Sequence, residues 1–171
     1  MKPLAVSMGD PAGIGLELAA RVWAERRHAP PFVFVGDPDA LERASKRIGA
    51  SAPKLRVIET ASEVGDGAGD ALTVLHVPLA MEETPGEPDP ANCDATVSAI
   101  ETGVAAVRGG AASGLVTLPI AKDILQRTGF GFPGHTEFIA HLTEGDAYAG
   151  ERGPVMMLAG ATLKVALATI H

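Results

Sequence analysis

Short apolar runs of strand length alternate with helix-period stretches along nearly all of this 171-residue chain, and that alternation restricts the fold more than any other feature. Pro3 to Met8 reads as a first strand and Gly9 to Gly13 as a tight turn. Ile14, Leu18 and Val22, with Trp23 beside them, then recur at helical spacing up to Arg26-Arg27, a basic pair suited to a helix C-terminus. Phe32 to Val35 is a short buried strand ended by Gly36. Pro38 to Ile48 is a second helix with Leu41, Ala44 and Ile48 inward. Leu55 to Ile58 and Leu72 to Val77 are further strands, joined by a loop holding Gly65, Gly67 and Gly69. Pro78 to Pro90 combines four prolines with four acidic residues and no periodicity, so it is expected to be an exposed connection. A helix from Asp94 to Val107, a strand from Leu115 to Leu118 and a helix from Ile120 to about Gln126 follow. The segment closes on a helix at Glu137 to Leu142 and strands at Val155 to Ala159 and Leu163 to Ile170. The expected class is α/β, and no internal repeat is visible.

With 46% hydrophobic residues the chain can bury a sizeable core. Its net charge is −7 and its basic residues are scattered, which argues against a nucleic-acid surface. The single cysteine, Cys93, rules out an internal disulfide framework and suits a reducing compartment. No apolar run approaches about 18 residues and no signal peptide precedes the first strand, so the expectation is a cytoplasmic protein with no membrane partner.

Four places carry residues suited to chemistry. The first is Gly9-Asp10-Pro11-Ala12-Gly13-Ile14-Gly15, between the first strand and the first helix. Glycines there let the backbone approach an anion at a helix N-terminus; equally, Asp10-Pro11 forms a turn while Gly13 and Gly15 allow close helix packing. The spacing matches neither a dinucleotide fingerprint nor a Walker A loop. The second is Thr117 to Lys122, a strand entering a helix with Pro119 near its first position. Lys122, one turn in, either reaches toward an anionic group or is simply solvated. The third is Phe132-Pro133-Gly134-His135-Thr136-Glu137-Phe138. Thr136 is expected to cap the helix that starts near Glu137, and His135 either joins the free helix amides in binding a phosphate or carboxylate or is an ordinary turn histidine. His28, His76 and His141 read as surface or core residues.

His171 is the fourth place. It follows an apolar alternating run that reads as a buried strand, where a histidine is placed for metal binding or acid-base work, although one ligand does not define a site. Natural termini are usually exposed and polar, so the chain is expected to be the first half of a longer protein.

Gly-Asp-Pro-Ala-Gly-Ile-Gly, Thr-x-Pro-Ile-x-Lys, Phe-Pro-Gly-His-Thr-Glu-Phe, Val-Met-Met-Leu-Ala and Val-Ala-Leu-Ala-Thr-x-His stand here in the order found in the 4-hydroxythreonine-4-phosphate dehydrogenase family of pyridoxal phosphate biosynthesis, which the chain resembles from Gly9 to His171. Departures are small: Met8 and Leu16 stand where the family often has proline, and Leu118 and Ala121 vary the second block. The resemblance implies a two-domain architecture like isocitrate and isopropylmalate dehydrogenases, with residues 1–171 as its N-terminal half and homodimeric sites in a cleft. It implies that His135 and Thr136 bind substrate and that His171 is the first of three metal-binding histidines. The metal would be a divalent cation, zinc, magnesium or cobalt, and the cofactor NAD or NADP. Asp10 and Lys122 match blocks near the cleft and receive no catalytic role. Two further histidines, most of the NAD site, and a lysine, an asparagine and an arginine of the substrate pocket would lie outside this chain. A relative acting on phosphothreonate or phosphoerythronate would share every block, and an inactive fragment or binding module is the reading from a different class. Residues 1–171 alone are expected to be inactive.

Overall fold

Phe32-Val33-Phe34-Val35 has no polar position on either face, which suits only a strand covered on both sides, and in the computed structural model it lies at the centre of a five-stranded sheet. The structure describes residues 2–25, 30–66, 69–147, 149–150 and 153–168, in two units that span 1–131 and 132–171.

In the first unit the strands are β1 (Leu4–Ser7), β2 (Phe32–Gly36), β3 (Lys54–Ile58), β4 (Ala71–His76) and β5 (Leu115–Thr117). They are all parallel, in the order β3-β4-β2-β1-β5, with Val6 facing Phe34 on one side and Val116 on the other. The helices between them are α1 (Gly15–Ala24), α2 (Pro38–Arg47), α3 (Cys93–Arg108) and α4 (Lys122–Arg127). α2 starts where the Asp37 carboxylate accepts the Ala40 N–H at 2.9 Å and Pro38 takes the first turn, so both the orphan donor and the missing one are accounted for. Leu41 and Ala44 are fully buried, as their spacing requires. On α3, Gly103 lets the helix approach β5: a Cβ there would lie 2.7 Å from Leu115 Cδ1. After β1 the chain moves to β2 on one side, and the crossover through α3 returns it to β5 on the other. The β1–β5 edge is therefore the point where strand order reverses, the usual place for a ligand crevice in such sheets.

Three expectations need correction here. The stripe Ile14, Leu18, Val22 faces solvent, at 59%, 41% and 45% exposure, while Leu16, Ala19, Ala20 and Trp23 form the inward face of α1. Both stripes have helical spacing, and only the packing distinguishes them. Leu18 and Val22 instead border an open apolar groove of about 510 Å³ with Leu4, Val6, Val116 and Leu118. α4 begins at Lys122, with Ala121 as its N-cap, so Pro119 stands outside the helix and Lys122 is its first residue. Finally, the Pro78–Pro90 connection is exposed along most of its length but buries Glu83.

The second unit holds α5 (His135–Leu142) and the strands β6 (Met157–Ala159) and β7 (Lys164–Ala166), which pair antiparallel. Of the run expected as a buried strand from Leu163 to Ile170, the described residues are strand only over β7, and Thr169 and Ile170 lie outside them. Leu163 and Val165 are 67% and 40% exposed, because among the described residues β7 pairs with β6 alone. Among the described residues no helix is long and apolar enough to cross a membrane.

Candidate functional site

The loop that follows β1 and the turn that follows β5 meet at the reversal point. Gly9 has φ +69, and a Cβ on it would stand 2.3 Å from the Pro119 carbonyl oxygen, so only glycine fits. Asp10 N–H donates to that same carbonyl at 2.8 Å. The Asp10 carboxylate turns back to accept the Ala12 N–H at 2.9 Å, an Asx turn that occupies a donor an exogenous anion would need. This supports the structural reading of the glycine loop over the anion-binding one.

A shallow crevice of about 220 Å³ opens beside Asp10, bounded by Pro88 and Asp89 of the connection, by Asn92 and Thr96 at the start of α3, and by Ile124 of α4. Asp10 is only 9% exposed, and burial pushes its carboxyl above the usual carboxylate range, against the Ala12 hydrogen bond and with help from the nearby Asp123. The lining contains carboxylates and no basic side chain. Lys122 is exposed and does not border the crevice, which favours its solvated reading.

The residues that sequence reasoning missed are those that hold this crevice together. Thr96 Oγ donates to the Gly9 carbonyl at 3.2 Å, an 87-residue reach along the sequence. Gly86 N–H donates to the Ala12 carbonyl at 2.8 Å. The Asn92 amide accepts from Ala80 N–H and Met81 N–H and donates to the Met81 carbonyl, which folds the connection onto the start of α3. Asp37, the α2 cap, accepts the Leu79 N–H at 3.0 Å. A loop of this length without regular structure, fastened at several points, is usually functional. Asp89-Pro90, a cap followed by proline, is the sequence signal that a helix entry lay inside the connection.

In the second unit, His135 is the first residue of α5 and Thr136 the second, both half-buried. Thr136 is therefore not the helix cap. Gly134 takes that position with an extended backbone, and no side-chain cap bond is made. Helix N-terminal N–H groups with a threonine hydroxyl and an imidazole suit a phosphate or carboxylate, although Glu137 in the same turn already complements the dipole. Phe132 packs on Phe138 at 5.1 Å and on His141 at 5.2 Å, and His141, itself exposed, also meets Glu144 at 3.5 Å. His76, half-buried at the end of β4, meets Glu59 at 3.2 Å. Among the described residues no three His, Cys, Asp or Glu side chains converge as a cation would require. His171 and His28 lie outside the described residues.

Residues 27–171 match the family model described as pyridoxal phosphate biosynthetic protein PdxA. The chain is 45% identical over 171 residues to a 4-hydroxythreonine-4-phosphate dehydrogenase of Caulobacter vibrioides, covering 99% of the chain and 50% of that relative. It is 46% identical over 175 residues to the protein of the same name from Methylorubrum extorquens, covering 99% of the chain and 49% of the relative. The crystal structure of the Klebsiella pneumoniae 4-hydroxythreonine-4-phosphate dehydrogenase superposes with a TM-score of 0.81 at 33% identity, over 97% of this chain and 50% of that one. The chain thus spans about half the length of the curated relatives it matches.

Proposed function

The chain belongs to the pyridoxal phosphate biosynthetic protein PdxA family, and on that premise we propose that it is the N-terminal half of a dehydrogenase acting on 4-phosphooxy-L-threonine. The observation that carries the reading is 45% identity to a relative of that activity across 99% of the chain. In this proposal the substrate's secondary alcohol is oxidised by NAD or NADP to give 2-amino-3-oxo-4-phosphooxybutanoate. That β-keto acid then loses carbon dioxide to give 3-amino-2-oxopropyl phosphate. The complete protein is a cytoplasmic homodimer with the isocitrate dehydrogenase-like two-domain architecture.

The chain's own part is to bind and orient. His135 and Thr136, at the start of α5, hold an anionic group of the substrate with the first-turn amides of the helix. Holding the substrate in one pose lowers the entropic part of the barrier without any covalent role for these side chains. His171, the expected metal ligand, lies outside the described residues, among which no three His, Cys, Asp or Glu side chains converge. In the loop after β1 the Asp10 carboxylate already occupies the Ala12 N–H.

The test is an assay of the protein at full family length with NAD or NADP, using 4-phosphooxy-L-threonine and phosphothreonate, each with and without added zinc, magnesium or cobalt. Turnover of the first substrate supports the proposal. Turnover of phosphothreonate alone moves the protein to a sister activity, and no turnover of either removes the enzymatic reading. In the same protein, His135→Ala should raise KM about tenfold or more with metal content intact, whereas His171→Ala should lose metal and rate together. Equal metal loss in both variants would show the roles to be divided wrongly.

A further inference from the structure

Glu83 is the one acidic side chain of the Pro78–Asn92 connection that the fold buries: its side chain is 1% exposed, against 32% for its partner Arg43 on α2. Arg43 Nε lies 3.2 Å from each Glu83 carboxylate oxygen, a forked geometry that its terminal nitrogen completes, and Arg47 stands 3.8 Å away. A carboxylate is expensive to bury and stays there only when paired this closely. Three residues further on, the connection donates Gly86 N–H to the Ala12 carbonyl, and its end supplies Pro88 and Asp89 to the crevice beside Asp10.

We propose that Glu83 and Arg43 are a positioning pair: their ion pair pins the connection against the glycine loop and thereby keeps the Asp10 carboxyl in a crevice with little water. Neither residue touches the crevice, so each acts through Gly86 and the Pro88–Asp89 wall. The groups that face Asp10 are Asp89 from the connection, Cys93 from α3 and Asp123 from α4, and none of them is a cation that would keep Asp10 charged. Solvent exclusion is therefore the main control on its protonation, and solvent exclusion depends on the wall. The inference concerns the geometry of the first unit alone and stands independently of the reaction proposed above.

Two measurements on the full chain test it: amide exchange at Gly86, and the pH titration of the Asp10 carboxyl followed by carbon NMR. In Glu83→Ala, Gly86 exchange should accelerate at least tenfold while Ala99 in α3 stays protected, and the Asp10 midpoint should fall toward the ordinary carboxylate range. Glu83→Gln, which still accepts from the guanidinium, should recover most of the Gly86 protection and of the Asp10 midpoint. If Glu83→Ala does not fold, Arg43→Lys keeps the charge but loses the fork, and should move both readouts the same way by a smaller amount. Unchanged Gly86 exchange would show that the pair does not pin the connection. Faster exchange with an unmoved Asp10 midpoint would show that the connection does not keep the crevice dry. Either result overturns the proposal.

Discussion

Phe32-Val33-Phe34-Val35 in the first unit and Val155-Met156-Met157-Leu158 in the second are both runs of four apolar residues, but the first is at most 5% exposed and the second 40–69%. β2 has a strand on each side and helices above and below it. β6 has one neighbouring strand. A two-stranded hairpin is marginal in water by itself, whereas a central parallel strand gains from every neighbour. Apolar sequence states what an element needs to bury, and the availability of a partner decides whether it does.

The largest test of that contrast is a pair of truncations. Phe34→Ala should cost about 3–5 kcal/mol, because it opens a cavity in a rigid core. Leu158→Ala should stay within about 0.5 kcal/mol, since little apolar surface changes its environment. Urea unfolding followed by the single tryptophan, buried Trp23, reads the first unit directly. Comparable losses from the two variants would mean that the hairpin is covered in solution.

Two glycines sharpen the comparison within the first unit. Gly9 and Gly49 share a left-handed backbone, with φ +69 and +66, but a Cβ at Gly49 meets nothing within 4 Å. Gly49→Ala should therefore cost only the conformational part, about 1–2 kcal/mol. Gly9→Ala adds a collision with the Pro119 carbonyl and should cost about 2–5 kcal/mol in total. Similar values from thermal unfolding would show that the β1 and β5 loops move apart easily.

A smaller effect comes from Asp10. Its carboxyl is raised by burial, so across the window between the ordinary value and the raised one the folded chain binds more protons than the unfolded chain. Stability contributed by this group therefore falls as pH rises through that window. Asp10→Asn retains an acceptor for the Ala12 N–H and should flatten this part of the stability profile while matching or exceeding the parent stability at neutral pH. A steeper profile in the variant would contradict the burial argument.

The smallest expected change is at the open groove. Val116→Thr, at a position 41% exposed, should alter unfolding by no more than about 0.5 kcal/mol in residues 1–171. A loss of several times that value in the protein at full family length would show that the groove is covered there.

Much of the fold was legible because its signals are local. Pro38 announced the start of α2, Leu41 and Ala44 announced its buried face, and the unbroken apolar run of β2 announced a buried strand. The α1 stripe was misread because Ile14, Leu18, Val22 and Leu16, Ala19, Trp23 both satisfy helical periodicity. Thr136 was misread as a cap because a Thr before Glu and an apolar run has cap chemistry, whereas the chain enters the helix two residues earlier, through Gly134. The crevice was legible in part: Asp10 and the Thr117–Lys122 block were singled out, but Thr96, Gly86, Asn92 and the Glu83–Arg43 pair were not. No sequence spacing signals a hydrogen bond that spans 87 residues or an ion pair that spans 40.

By itself, the sequence determined the α/β class, the buried strands, the helix boundaries marked by proline and aspartate, and the five ordered blocks that place the chain in its family. These depend on backbone geometry, side-chain volume and short-range capping, all of which act within a few residues. Only the tertiary structure decided that Gly9 lies against Pro119, that Asp10 is kept from water, and that a loop rich in proline and acid is pinned by a buried ion pair. Those outcomes depend on which distant backbone groups come within hydrogen-bond reach and on which charges lose their solvent. Neither quantity exists until the β1 and β5 loops are brought together by the sheet.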